Sequence, residues 1–289
     1  MAMNNNKASL FFQTITPEIL SPADYTNWDG IKAKVKAIRR EIALLQSLDK
    51  DNPVEDLTDL LRNNPKVLKV LQLLIAHTPE KIFFDEKDKY IDFKSDLENV
   101  ANDTERAKAI AEIFVEMGLV EFLKEVRSVE DVVKGVLLGL EPNARKNRRG
   151  AKLEAVINEL ISSTIEKINK EKGLNLYFES QMYVDLANER KKIDYVILQN
   201  GKQKIAIEVN FYSTSGSKPS EVLGRAYPEV QENLKKKGLG FIVITDGIGW
   251  ESMRPVISTA YEKLDYLMNI KQAKSGELEK AILELMEVP

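Results

Sequence analysis

Apolar positions in the first half of the chain recur every three or four residues, which is the spacing of an amphipathic helix. The clearest stripe consists of Ile31, Val35, Ile38, Ile42 and Leu45. The same spacing returns over residues 103–114 and 120–140, whereas residues 85–94 fit either a strand or a loop. The pattern therefore predicts a mainly helical region over residues 29–140.

Beyond Gly173 the apolar period shortens to two, which is typical of β-strands. Three strands are predicted, over residues 174–184, 193–198 and 204–211. Asn200-Gly201 supplies a hairpin turn between the last two of them. The unbroken apolar run at residues 240–245 predicts a fourth strand that is covered on both faces.

Helical patterns surround these strands, at residues 151–170 and 219–237, from about Glu251, and from Ser275. The alternation of strands and helices predicts an α/β fold, with a mixed central sheet flanked by helices and a helical region in front of it. We place the boundary near residue 141, so that residues 1–140 form the N-terminal helical region and residues 141–289 the sheet-bearing core.

Composition removes several kinds of chemistry. The 289 residues include no cysteine and one histidine, His77, which excludes thiolate nucleophiles, cysteine zinc sites and histidine-rich metal sites. A site built from carboxylates favours a hard ion such as Mg²⁺. No apolar run is long enough for a membrane span, and the polar residues 1–8 lack a signal core, so we expect a cytoplasmic protein without a membrane partner.

Two carboxylates lie on neighbouring predicted strands, which brings both within reach of one divalent ion. Asp194 belongs to one strand of the hairpin and Glu208 to the other, where it shares a face with Ala206 and Asn210. On that strand alone, a solvent-facing position explains Glu208 equally well. A strict two-residue turn sets Asp194 opposite Ile207, whereas a one-residue bulge sets it opposite Glu208, and the sequence fits both registers.

A third acid, Glu154, lies on the helix predicted after Gly150. Helical rotation places it within the apolar stripe, near Ile161 and Ile165. Burying a lone carboxylate is unfavourable, so Glu154 requires either a metal site or a basic neighbour. An ion held by such acids lowers the pKa of a bound water and neutralises charge on a leaving phosphate oxygen.

Two polar segments are candidates for contacts with DNA, although a net charge of −3 argues weakly against nucleic acid. The first precedes Glu154 and consists of Arg145, Lys146, Asn147, Arg148, Arg149 and Lys152. A solvated loop is its ordinary interpretation, but adjacent helix N-terminal amides favour phosphate. The second follows the Glu208 strand and offers Ser213, Ser215, Ser217 and Lys218. A plain loop that caps the next helix is the alternative there. Residues 245–250 form a third candidate, for which a plain turn with Trp250 in the core is the alternative.

Taken in order, these segments resemble the DpnII/MboI family of type II restriction endonucleases. The segments are residues 145–150 followed by Glu154, then Asp194, residues 208–218 and residues 244–250. The resemblance continues at residues 60–70 and 139–143, so it covers nearly the whole chain. The sequence EVNFYSTSGSK at residues 208–218 is its most specific part.

The resemblance implies a nuclease with a PD-(D/E)xK restriction-endonuclease-like core that uses Mg²⁺ to cut both strands of double-stranded DNA at the palindrome GATC. By position, Asp194 and Glu208 are the metal carboxylates, and the carbonyl of Val209 is a further ligand. Glu154 matches the helical acid that is common upstream in this superfamily.

One position departs from the superfamily pattern. Asn210 stands where most PD-(D/E)xK enzymes have a lysine, and an amide orients water but carries no positive charge. Lys218, Lys152 or a second metal ion is a candidate for the missing charge, and the sequence leaves these alternatives open.

A palindrome that is cut on both strands implies a two-fold homodimer whose symmetry matches the site. The resemblance also implies a cognate adenine methyltransferase as a functional partner that makes no contact with this chain. Two other functions fit the same residues. One is a DNA-binding protein on a nuclease fold that does not cut, and the other is a nuclease for branched DNA or RNA.

Overall fold

The computed structural model describes residues 2–85, 89–186 and 189–287, without the side chains of residues 2–5. The chain divides into two compact units. The sheet unit comprises Met1–Ser21 and Arg148–Pro289, and the helical unit comprises Pro22–Asn147. Contacts thus group residues 1–21 with the sheet, and the domain limits 1–140 and 141–289 remain a prediction.

The helical unit contains nine α-helices among its described residues: α2 Pro22–Tyr25, α3 Trp28–Ala37, α4 Arg39–Gln46, α5 Pro53–Asn63, α6 Val67–Leu74, α7 Phe93–Asn99, α8 Thr104–Glu116, α9 Leu119–Glu125 and α10 Val129–Gly139. A 3₁₀ turn, Val100–Asn102, follows α7. Side-chain caps begin several helices, as where Asp103 accepts a hydrogen bond from the N–H of Arg106 at 2.9 Å. Leu57, Leu61 and Phe114 are fully buried in the core of this unit.

A short antiparallel hairpin interrupts this helical region. Its strands are β1 Lys81–Phe83 and β2 Tyr90–Asp92. The second strand falls in the stretch that the sequence left open between strand and loop. The first lies in the range predicted to be mainly helical, and its three residues are too few to produce a period of two.

The sheet unit contains five strands: β3 Leu176–Asp185, β4 Arg190–Gln199, β5 Lys202–Phe211, β6 Gly240–Asp246 and β7 Leu267–Met268. Its helices are α1 Ala2–Gln13, α11 Glu141–Lys172 (whose first residues are grouped with the helical unit), α12 Ser217–Glu221, α13 Tyr227–Lys235, α14 Arg254–Lys263, α15 Ile270–Gln272 and α16 Leu278–Glu287. Irregular turns of helix occupy Val222–Ala226, Ile248–Met253 and Ala273–Glu277.

The five strands form one mixed sheet in the order β3-β4-β5-β6-β7. Strands β3 to β5 pair antiparallel, whereas β6 runs parallel to both β5 and β7. Each face carries its own core: Ile157, Ile161 and Ile282 pack on one face, and Phe11 and Leu234 on the other. The predicted α/β fold with a mixed sheet flanked by helices is confirmed.

Three features of the sheet unit were missing from the sequence prediction or misplaced in it. The polar start of the chain belongs to α1, which is anchored by the fully buried Phe11. Strand β7 has only two residues, Leu267 and Met268, too few to produce a pattern. Helix α11 begins at Glu141 rather than near residue 151.

No helix of the described ranges combines the length and the apolar character that crossing a bilayer requires.

Asp246 ties three segments of the sheet unit together at the end of β6. Its side chain is fully buried and accepts backbone N–H groups from Thr16 at 2.7 Å, Gly247 at 2.8 Å and Ile270 at 3.1 Å. Three donated hydrogen bonds offset part of the lost hydration of this carboxylate, although burial still raises its pKa. Asp246 is therefore a structural junction between the chain start, β6 and α15.

Candidate active site

A β-bulge sets the register of the β4–β5 hairpin. The turn residues Asn200-Gly201 have φ values of 51° and 76°, which is the geometry of a two-residue type I′ turn. Leu198 pairs with Gln203 next to the turn, but Ile197 pairs with Ile205. Strand β5 therefore contains one extra residue at this point.

The bulge brings the two candidate metal carboxylates level with each other. Beyond it Tyr195 pairs with Ile207, and the same register continued by one residue sets Asp194 opposite Glu208. The two side chains also interact, because the charge of Asp194 contributes to a raised pKa of Glu208. Of the two registers that the sequence allowed, the structure has the bulged one.

At the level of Asp194, the alternation of side chains along β3 and β4 shifts, so that positions that pointed to one face of the sheet now point to the other. Tyr195 packs in the core beneath α11, whereas Ile193 packs in the core on the opposite face of the sheet. In a regular strand these two positions share one face. On β3 the neighbouring Gln181 has a φ of 56°. The start of β4 is thereby turned toward the face that carries Glu208.

Glu208 is largely buried among polar groups. Its side chain is 9% exposed, and its Oε1 is 3.0 Å from the Nζ of Lys191. The hydroxyl of Tyr227 donates to its Oε2 at 3.5 Å. Burial raises the pKa of Glu208 to about 7, with Asp194 adding to the rise and the charge of Lys191 opposing it. A carboxylate that is poorly hydrated and near a second acid gains from a nearby cation.

Asp194, on β4, accepts hydrogen bonds from both neighbouring strands. Its Oδ2 accepts the backbone N–H of Val209 at 2.9 Å, and its Oδ1 accepts the amide of Gln181 at 3.2 Å. The N–H and C=O groups of one strand residue project toward the same neighbouring strand. The carbonyl of Val209 thus points to the same side as the Asp194 carboxylate.

Asn210 shares the strand face of Glu208, and two tyrosines hold its amide. The Nδ2 group donates to the hydroxyl of Tyr227, and the hydroxyl of Tyr212 donates to Oδ1 at 3.3 Å. Burial, followed by the charge of Glu208, raises the pKa of Tyr227. Both tyrosines therefore stay protonated and fix the orientation of the Asn210 amide.

Glu154 is not buried in the apolar stripe of α11, contrary to the sequence prediction. Its side chain is exposed, and the stripe becomes buried only from Ile157 onward, one turn later. It still lies near the site, because burial and then the charges of Glu154 and Asp194 raise the pKa of Tyr195 to about 12. Glu154 needs no buried partner in this position.

The basic segment lies inside helix α11, so the prediction of a basic loop before a helix start is wrong. Its backbone N–H groups belong to the helix interior and are not a terminal anion site. Arg149 pairs with Glu18 at 2.6 Å and holds the pKa of that carboxyl at about 2. Lys152 is exposed.

The remaining residues of the segment belong to the helical unit or to its limit. Arg145 stacks on the ring of Tyr25 at 3.8 Å and donates to the Tyr25 carbonyl at 3.0 Å. Lys146 and Asn147 are exposed, and Arg148 is half-buried. Arg145 therefore has a structural contact, whereas Lys146 and Asn147 face solvent.

The serine-rich candidate segment rests on the turn after β6. Ser213 is half-buried, and Ser215, Ser217 and Lys218 are exposed. The N–H of Gly249 donates to the Tyr212 carbonyl at 2.8 Å, and a Cβ added at Gly249 would lie 2.5 Å from the Thr214 carbonyl.

The third candidate segment, residues 245–250, therefore packs against the serine-rich segment. Its Trp250 is fully buried and donates to the Thr245 hydroxyl at 3.0 Å. Trp250 is thus a core residue, which was one of the two interpretations that the sequence allowed.

Sequence reasoning missed Lys191 and Tyr227, both of which contact Glu208. Lys191 lies three residues before Asp194, and regular alternation assigns the two residues to opposite faces. Only the exchange of faces on β4 brings the lysine to the site. The signal in the sequence was the run of basic residues at positions 190–192, directly before Asp194.

The donor atoms at this site suit a hard divalent ion. Asp194, Glu208 and the Val209 carbonyl present oxygen only, and one or two carboxylates with several waters are a usual Mg²⁺ environment. Among the described residues, no group of three or more His, Cys, Asp or Glu side chains is arranged to hold a metal ion. The fit thus rests on two acids and a carbonyl.

The chain matches the family model of the DpnII restriction endonuclease over residues 7–280. It is 31% identical over 289 residues to the type II restriction enzyme DpnII of Streptococcus pneumoniae, covering 93% of this chain and 96% of that enzyme. It is 28% identical over 280 residues to the type II restriction enzyme MjaIII of Methanocaldococcus jannaschii, covering 90% and 93%. The type II restriction enzyme MboI of Moraxella bovis is 28% identical over 250 residues, covering 85% and 86%. The resemblance noted in the sequence is confirmed, and the chain belongs to the DpnII restriction endonuclease family, whose members are type II site-specific deoxyribonucleases.

Proposed function

We propose that this enzyme hydrolyses both strands of double-stranded DNA at the palindrome GATC, with Mg²⁺ bound between Asp194 and Glu208. The observation that carries the proposal is the pair of acids that the register beyond the bulge sets opposite each other, one of which, Glu208, has a pKa raised to about 7. Two acids that lie close together in a partly buried site repel each other, and a divalent cation relieves this repulsion.

The ligands proposed for the ion are the two carboxylates and the Val209 carbonyl. When bound, Mg²⁺ supplies a more acidic water and neutralises charge on the leaving oxygen. Within the protein, the N–H of Val209 orients Asp194, and Tyr212 and Tyr227 orient the Asn210 amide toward the same face. Glu154 is the candidate for an outer acid that contacts ordered water.

The proposed DNA contacts come from polar residues of α11 and of the serine-rich segment, some exposed and some half-buried. They are Arg145, Lys146, Asn147, Arg148, Arg149, Lys152, Ser213, Ser215, Ser217 and Lys218. Phosphate contacts of this kind give affinity and position the duplex. The support for GATC is the resemblance of residues 208–218, and a palindromic target favours a homodimer. A cognate adenine methyltransferase that marks the same site is the proposed functional partner.

The test uses a duplex with a single GATC site, unmethylated or adenine-methylated, with and without Mg²⁺. We expect the wild type to cut the unmethylated duplex in Mg²⁺ only, and to leave the methylated duplex and a duplex with a scrambled site intact. D194N and E208Q should bind the duplex but lose at least about 10²-fold in cleavage rate. E179Q, which alters an exposed acid on β3, serves as the matched control.

Several outcomes would reject parts of the proposal. Near wild-type cleavage by D194N or E208Q would remove the metal site. Specific binding of GATC without cutting would support the alternative of a non-cleaving DNA-binding protein. The argument for that alternative is that Asn210 stands where most PD-(D/E)xK enzymes have a lysine. A random distribution of cuts would reject GATC. Sedimentation at the monomer mass, with and without the duplex, would reject the homodimer.

A further inference from the structure

The positive charge near Glu208 comes from Lys191 on strand β4. The position on β5 where the superfamily usually has a lysine is occupied by Asn210. The Nζ of Lys191 is 3.0 Å from the Oε1 of Glu208 and 5.3 Å from the ring centre of Tyr227. Tyr227 also contacts Asn210, the residue at the position of the usual lysine. Lys191 and Asn210 therefore converge on the same tyrosine, on the same face as Glu208.

The surroundings of Lys191 restrict its ammonium group to this pocket. Its side chain is 27% exposed, and the face of the Tyr227 ring attracts a cation at this distance. The exchange of faces at Asp194 turns this part of β4 toward Glu208. By contrast, Lys152 and Lys218, the two lysines that the sequence offered, have exposed side chains.

We propose that Lys191 takes the place of the missing motif lysine and that its ammonium contacts the phosphate at the scissile bond. This inference rests on the proposed function. Asn210 orients water through its amide, and Lys191 supplies the charge that the amide lacks. The two roles of one lysine are thus divided between two strands.

The reaction balances without a proton passing to or from Lys191. The oxygen of a water molecule forms a bond to phosphorus while the bond from phosphorus to the leaving ester oxygen breaks. One water proton is passed through solvent to the leaving oxygen, which becomes a hydroxyl, and the other is released from the new phosphomonoester. The ammonium donates hydrogen bonds to a non-bridging oxygen whose negative charge grows in the transition state.

The test compares K191M, K191Q and K191R with K192M, which removes an exposed lysine next to it on the same strand. Thermal melts first establish that each variant folds. Three quantities are then measured: the single-turnover cleavage rate at saturating Mg²⁺, the affinity for the duplex in EDTA, and the Mg²⁺ affinity by titration calorimetry. The calorimetric readout does not depend on activity.

We expect K191M and K191Q to lose about 10²- to 10³-fold in cleavage rate, which is the typical effect of removing one charged or polar donor from a transition state. Duplex affinity should change by less than about 3-fold, because a single phosphate contact contributes little to the total affinity. K191R keeps the charge and should recover part of the rate, and K192M should cleave like the wild type.

If Lys191 served only as a counter-ion that neutralises Glu208 until metal binds, its variants would behave differently. K191M would then bind Mg²⁺ more tightly and cleave at the wild-type rate once saturated, and that result would overturn the inference. The D194N and E208Q variants separate the two proposals. If they are inactive while K191M is active, only the role of Lys191 fails, whereas active D194N rejects the metal site itself.

Discussion

Replacing Glu208 with glutamine should stabilise the folded protein at neutral and alkaline pH. The substitution keeps the shape of the side chain and an oxygen that accepts from Lys191, but it removes a charge from a pocket in which the side chain is 9% exposed. Burial and the neighbouring Asp194 raise the pKa of Glu208 from 4.5 to about 7. The folded protein therefore binds this proton more tightly than the unfolded chain does.

The sign and size of the effect follow from this difference in pKa. Below pH 4.5 the carboxyl is neutral in both states, so the wild type and E208Q should have similar stability. Between pH 4.5 and about 7 the unfolded chain loses its proton first, and the stability of the wild type falls relative to the variant. At about 1.36 kcal/mol per pH unit, the full cost above pH 7 is roughly 3 kcal/mol.

Urea unfolding in EDTA at pH 5, 6, 7 and 8 measures this cost, with the pH values chosen to bracket the pKa of about 7. The free energy of unfolding of E208Q minus that of the wild type should rise with pH and level off above neutrality. E179Q, at an exposed position of β3, should give a flat difference. A flat or falling difference for E208Q would mean that the ion pair with Lys191 outweighs the cost of burial, and the reasoning would be refuted.

Three further predictions concern the residues of the proposed DNA contacts and their support. G249A should lower stability by about 2 kcal/mol or more and weaken duplex binding, because the new Cβ would lie 2.5 Å from the Thr214 carbonyl. G224A, with no atom within 4 Å of its Cβ, is the control, and equal urea midpoints for both variants would contradict this packing. K152A should reduce the slope of log affinity against log salt by about one in fluorescence anisotropy. R149A should in addition lower stability by about 1 kcal/mol or more through loss of its pair with Glu18. An unchanged slope for K152A would remove Lys152 from the proposed phosphate contacts.

The candidate metal ligands follow from residue types and short-range spacing. The absence of cysteine and the single histidine leave carboxylates as the candidate metal ligands. Alternation with a period of two assigned Asp194 and Glu208 to adjacent strands, and Asn200-Gly201 fixed the hairpin between them. These signals are local, because strand alternation and turn conformation depend on residues that are close in the chain.

The long helix illustrates where local signals fail. Its basic segment and Glu154 were assigned from apolar spacing alone, which predicted a start near residue 151 and a buried acid. The helix begins at Glu141, since polar residues continue a helix as readily as apolar ones when their neighbours are good helix formers. Exposure of Glu154 depends on where the sheet begins to cover the helix, and helix periodicity carries no information about that.

The sequence by itself determined strands β3 to β6, the hairpin turn, the acids of the candidate site and the family resemblance. The tertiary structure decided the register of the bulge, the exchange of faces at Asp194 and, through both, the position of Lys191. A bulge or a change of face costs hydrogen bonds between neighbouring strands and is compensated by packing against two separate cores. That balance depends on residues distant in the chain, such as Phe11 and Ile282, and no short window of sequence contains it.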